Sequence, residues 1–133
     1  YLHWKSDLLT EFDPFETGLE RFVKLDKGDF VGKDALVARH AAGPQKKLAV
    51  LQIDSSKAAA HGGASLMIGD RVVGTVTSGD WGFRTSKNLA YAFVEPELSE
   101  IGSEMLLDLC GDMVRATVVE PCQYDPTSSR MRA

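Results

Sequence analysis

A chain of 133 residues is long enough for one modest domain with a buried core and too short for two full ones. Apolar residues make up 44% and charged residues 26%, ordinary globular proportions that exclude wholesale disorder and fibrous repeats. The net charge of −4 lacks the basic footprint of a nucleic-acid binder, and no apolar run approaches the roughly 18 residues of a membrane-spanning helix.

The opening Tyr1-Leu2-His3-Trp4-Lys5 has no starting Met and none of the basic and apolar regions of a signal peptide, so it reads as a cut end. Asp13-Pro14-Phe15-Glu16 supplies an N-cap acid, a proline at the first helical position and a glutamate able to bond back to the cap. Gly18 then supplies a stop, which predicts one helical turn. Leu19 to Leu25 suits a short strand or a helical continuation, and the strand is preferred. Lys33 to His40 carries Asp34 in its first turn, Arg39 and His40 in its last, and Gly43-Pro44 beyond, which predicts a helix.

After Pro44 the texture changes to short β-like runs: Lys47 to Ile53, Ser65 to Ile68, Arg71 to Thr77, Asn88 to Val94, Glu104 to Leu109 and Met113 to Val119. Gly69-Asp70 and Gly111-Asp112 are expected to turn two hairpins, because glycine tolerates positive φ there. Short strands separated by turns remove their exposed edges by closing. The expected fold is therefore mainly β with some α, a six-stranded antiparallel barrel preceded by an α/β segment. The polar tail beyond Pro121 should lie on the surface.

Chemistry is harder to find. No GxGxxG, Walker loop, HExxH, GxSxG or EF-hand loop occurs. His3, His40 and His61 are scattered, and Cys110 and Cys122 have no CxxC spacing, so no metal site is expected and the thiols read as inert. The run Gly74-Thr75-Val76-Thr77-Ser78-Gly79 leaves a strand and enters a turn; it is either a ligand-facing loop or a bend beneath Trp81 covering a barrel end. Glu16 is expected to cap backbone donors.

Five motifs in fixed order then carry a resemblance: Tyr1-Leu2-His3-Trp4, Asp13-Pro14-Phe15-Glu16-Thr17-Gly18-Leu19, Lys24-Leu25-Asp26-Lys27-Gly28-Asp29-Phe30-Val31-Gly32-Lys33, Val73-Gly74-Thr75-Val76-Thr77-Ser78-Gly79 and Leu89-Ala90-Tyr91-Ala92-Phe93-Val94. Together they resemble the C-terminal region of the aminomethyltransferase family, the glycine-cleavage T-protein and its relatives. The Tyr-x-x-Trp opening and the Lys-Leu-Asp-Lys-Gly-Asp-Phe run are most similar to the folate domain of the flavin-linked dimethylglycine and sarcosine dehydrogenases.

The resemblance implies a tetrahydrofolate-dependent one-carbon transfer enzyme of which this chain is one part. Residues 1–43 would be the tail of the folate-binding α/β domain and 44–133 the terminal β-barrel. The catalytic aspartate would lie upstream, leaving no catalytic residue here, and FAD would belong only to a parent with an upstream flavin domain. Tyr1 and Trp4 match aromatic positions near the folate pocket, and Arg130 with Arg132 resembles a basic tail that approaches the folate end. In this chain by itself, core packing is the simpler role for Trp4, a frayed end for Tyr1 and a mobile tail for Arg130. The family commonly has glycine where Lys5 stands, which leaves the bend after Trp4 open.

The implied partners are folate and the missing domains of the same enzyme, with no nucleic acid and no membrane. The implied location is cytoplasmic, or the mitochondrial matrix in a eukaryote. Phe15, Phe22 and Phe30, without their domain partners, should stay partly uncovered and favour self-association. The rival readings are a non-catalytic docking barrel and a folate-dependent demethylase of another methylated metabolite.

Overall fold

The alternation of inward apolar and outward polar residues after Pro44 resolves into six strands in the computed structural model, which describes residues 2–133. They are β1 (Lys47–Ile53), β2 (Ser65–Ile68), β3 (Arg71–Gly82), β4 (Lys87–Val94), β5 (Glu104–Leu109) and β6 (Asp112–Val119). The strands close antiparallel in the order β1-β4-β3-β2-β5-β6, so each has two neighbours and no edge is left open. The expected six-stranded antiparallel barrel is the fold.

The barrel interior is solid. Ala49, Leu51, Leu66, Val73, Val76, Ala90, Ala92, Leu107, Ala116 and Val118 belong to one buried cluster. Small side chains on β1, β4 and β6 make room for the leucines opposite, as filling a narrow barrel requires.

Boundaries differ from the expectation where turn chemistry differs. Gly69-Asp70 does turn the β2–β3 hairpin, with Ile68 paired to Arg71 and Gly69 at φ 58°. The second tight turn is Cys110-Gly111 rather than Gly111-Asp112. Leu109 pairs with Asp112, and both central residues have positive φ, 57° and 92°. Strand β3 does not end at Thr77 but runs to Gly82, because Ser78 to Gly82 continue to pair with Tyr91 to Lys87 after a bulge. The expected turn at Ser78-Gly79 is thus replaced by a bulge at Thr77, with Ser78 and Gly79 paired within the strand.

Upstream of the barrel, helix α1 spans Lys33–Ala42, two residues past the expected His40, and is capped by Gly43 at φ 76°. The helical turn at Asp13 forms: Thr17 N–H bonds to the Asp13 carbonyl and Leu19 N–H to that of Pro14, across Gly18 at φ 72°. The strand expected at Leu19 to Leu25 is absent. Phe22 and Val23 N–H groups bond back to Leu19 and Glu20, closing a 3-10 turn at Glu20–Phe22 that satisfies the backbone locally. Among the described residues before β1, the one strand-like contact is an isolated bridge between Trp4 and Leu8.

Candidate functional site

The outward face of β4 organises everything that is not barrel. Asn88, Ala90, Ala92 and Val94 are buried, three of them in the apolar cluster, so Lys87, Leu89, Tyr91 and Phe93 point outward. Phe93 is nevertheless 95% buried, because Phe12 lies stacked on it. At the other end of the strand, Lys87 Nζ donates to Gln123 Oε1 at 2.6 Å, bringing in the C-terminal tail. Tyr91 sits between. Burial, then the Asp7 charge and Cys122, raise its phenol above the ordinary range. One strand face therefore carries both the amino-terminal segment and the tail.

Two buried carboxylates fasten that segment to the barrel. Glu16 accepts the Asp13 N–H at 3.1 Å through Oε2, the expected capping bond. Its Oε1 also accepts the Gln45 and Lys46 N–H groups, each at 3.2 Å, while Leu48 N–H bonds to its backbone carbonyl. A local cap thus doubles as the joint between the turn at Asp13 and the start of β1.

Asp7 is the second, and its side chain has no exposed surface. Oδ2 accepts the His3 N–H at 2.6 Å, and Oδ1 accepts the Thr77 hydroxyl and, at 2.7 Å, the Ser78 hydroxyl. Adjacent residues of a regular strand point to opposite faces, so two neighbouring hydroxyls cannot normally reach one oxygen. Here they do because the β3–β4 register shifts between Val76 and Ser78. Sequence reasoning missed Asp7, since a single acid in a turn has no signature. The only signal was the Thr77-Ser78 hydroxyl pair, whose partner lies 70 residues away.

Asp7 closes the loop that carries Trp4, which is 73% exposed and so is not a core residue. Lys5 follows at φ 75°, the left-handed bend that glycine adopts freely. Tyr1 lies outside the described residues.

Arg130 is not a free tail. Its Nη1 donates to the Tyr124 hydroxyl at 3.0 Å and its N–H to Asp125 Oδ2 at 3.1 Å. Arg84, in the β3–β4 loop, donates to the same hydroxyl at 2.9 Å. The hydrogen bond from Arg84, reinforced by both guanidinium charges, holds the Tyr124 phenol below its ordinary range. Among the described residues, no hydrogen bond or aromatic contact joins Arg130 to Trp4.

Elsewhere, Trp81 is half-buried on the wall of an open groove of about 610 Å³, beside Asp54, Lys57 and Asp112. His61 Nε2 and Cys110 Sγ lie 3.6 Å apart at the surface. Phe22 is 68% exposed, and Phe15 against His40 and Phe30 under Lys27 are half-buried, so all three stay partly uncovered as expected. Both oxygens of each buried carboxylate already accept bonds from within the chain.

Comparison with known proteins gives this geometry a context. Residues 46–125 match the family of glycine cleavage T-protein C-terminal barrel domains. Mitochondrial dimethylglycine dehydrogenase of Rattus norvegicus is 35% identical over 97% of the chain, which covers 15% of that protein. An aminomethyltransferase of Synechococcus elongatus is 39% identical over 86% of the chain and is covered to 31%. In fold, the chain superposes on the crystal structure of the glycine cleavage system aminomethyltransferase T from Bartonella henselae. The TM-score is 0.84 at 22% identity, over 90% of this chain and 34% of that one. The chain thus spans between 15% and 34% of the length of these relatives.

Proposed function

The chain belongs to the family of glycine cleavage T-protein C-terminal barrel domains, and we propose that it is the C-terminal part of a tetrahydrofolate-dependent one-carbon transfer enzyme of the dimethylglycine or sarcosine dehydrogenase kind. In this reading residues 1–43 end the folate-binding domain and 44–133 form the terminal barrel. Its folate-binding residues would be Tyr1, Trp4 and Arg130. The chain shapes the pocket; the catalytic carboxylate lies upstream, as does FAD where the parent has a flavin domain. The enzyme works in the cytoplasm, or in the mitochondrial matrix of a eukaryote.

The observation that supports this most is the display of Trp4, a large flat aromatic left 73% exposed on a loop anchored from beneath. Such a face suits stacking on a conjugated ring such as a pterin. Tetrahydrofolate would supply the nitrogen that captures an iminium-derived carbon. The chain's contribution is to orient that ring and exclude water from one side.

A single wall leaves the ligand largely hydrated, so the chain alone should bind tetrahydrofolate weakly or not at all. Titration followed by Trp4 fluorescence in a Trp81→Phe background tests this, and saturable micromolar quenching overturns it. With the upstream region joined, Trp4→Ala should raise the folate concentration for half-saturation up to roughly tenfold. Flavin reduction should stay unchanged.

The docking reading has its own support. Helix α1 buries no residue, and Phe22, Val31 and Val37 are exposed on the same segment. Equal loss of folate and flavin activities in Trp4→Ala would favour it.

A further inference from the structure

We infer that Asp7 is the positioning residue that holds Trp4 on display, by tying the base of the Trp4 loop to the bulge in β3. The inference rests on the folate reading of Trp4 and adds to it a residue that never meets the ligand.

The loop is built around the carboxylate. Backbone N–H groups of Ser6 and Asp7 bond to the His3 carbonyl, turning the chain back on itself. Asp7 Oδ2 then takes the His3 N–H at 2.6 Å, so the residues on both sides of Trp4-Lys5 are locked together. Oδ1 carries the lock to the barrel through Thr77 and Ser78. Thr77 is the residue the bulge leaves without a partner on β4, and its hydroxyl oxygen lies 3.2 Å from the Tyr91 carbonyl, the alternative acceptor for its one proton. The anchor therefore sits at the bulge, with Ser78 paired to Tyr91 on β4 directly beside it.

The arrangement is costly on three counts. A carboxylate is fully buried, a lysine is held at φ 75°, and a tryptophan is left in water. Strained backbone persists where its surroundings over-determine it, and such positions cluster where a group must be presented in one geometry. Asp7 supplies the over-determination, and Trp4 is what the loop presents. A carboxylate serves better than an amide because both oxygens must accept, and the donors converge from two segments.

Fluorine NMR of the fluorotryptophan-labelled chain in a Trp81→Phe background reads Trp4 alone. Asp7→Asn should move that signal toward the position and narrow width of free fluorotryptophan while barrel amides stay protected from exchange. Ser78→Ala, a milder change, should move it the same way, and Thr77→Ser, which keeps its hydroxyl, should leave it in place. A Trp4 signal unmoved in Asp7→Asn, or in Ser78→Ala if Asp7→Asn does not fold, overturns the inference.

In the enzyme with its upstream region, Asp7→Asn should raise half-saturation by folate as much as Trp4→Ala does, with kcat retained. The double variant should be no worse than either. If Trp4→Ala raises half-saturation and Asp7→Asn does not, or the two effects add, the positioning role fails while the folate reading stands. If Trp4→Ala has no effect, the folate reading fails and the fluorine signal alone decides whether Asp7 holds the loop.

Discussion

Phe12 lies flat on Phe93, ring centroids 3.6 Å apart and planes 14° from parallel, and so covers the outside of the barrel wall. Phe93 would otherwise be an exposed aromatic on the outer face of β4. Phe12→Ala should lower stability by about 2 kcal/mol, less than a full core truncation because Phe12 is itself only half-buried. Amide exchange should localise the effect: residues 8–16 gain exchange while β5 and β6 keep their protection.

Lys5 is the one residue of the Trp4 loop whose backbone conflicts with its side chain, at φ 75°. Lys5→Gly should raise stability by up to about 1 kcal/mol, since glycine reaches this region without a Cβ penalty. Thermal unfolding checks this, and a lower midpoint contradicts it.

Asn88 fastens the loop between β1 and β2 from inside the barrel end. Its Oδ1 accepts the Ala60 N–H at 3.0 Å, and its Nδ2 donates to the Ser55 and Ala58 carbonyls at 3.1 and 2.8 Å. Asn88→Asp keeps the shape but loses both donors and sets a carboxylate against two carbonyls. A loss of about 2 kcal/mol or more should appear in urea unfolding. Asn88→Gln should not rescue it, because the site is closed around the shorter amide.

The two described tyrosines should titrate apart. In a Tyr1→Phe background, phenolate absorbance should rise first for Tyr124, held down by Arg84 and Arg130, and last for Tyr91, pushed up by burial and Asp7. Folding holds the Tyr91 proton more tightly than the unfolded chain does. Its contribution to stability is complete below about pH 10 and is lost as pH climbs through the raised value. Tyr91→Phe should remove the late phase and flatten the alkaline fall in melting temperature.

What could be read in advance follows the range of the interaction involved. The strands, α1 and the Glu16 cap all rest on neighbours a few positions apart, where periodicity and capping chemistry speak directly. Leu19 to Leu25 went wrong because apolar spacing cannot say whether a partner strand will arrive, and here the backbone closed on itself. The Cys110-Gly111 turn slipped by one residue, because the run offers two tight-turn registers and only cross-strand pairing chooses between them. Asp7 was invisible for a stronger reason. Its partners are hydroxyls on a distant strand, and they converge only because of a bulge that neither stretch of sequence encodes alone. Trp4 was noticed but expected inside, since burial is the ordinary fate of tryptophan, and its exposure is the more informative outcome.

The order in which the barrel closes bears on how it is made. The seam joins β1 to β6, with Val50 opposite Val119, so the first strand synthesised waits for the last. Until β6 arrives, β1 and β5 stand as raw edges with unpaired amides, open to wrong partners. Folding of this type is set by long-range pairing and is slow, on the order of milliseconds to seconds. The Phe12 stack and the Glu16 joint lie against β4 and the start of β1, on segments complete well before that seam. The amino-terminal segment can therefore dock on β4 and the start of β1 before the seam closes, while the β1 and β5 edges stay open until β6 pairs with both.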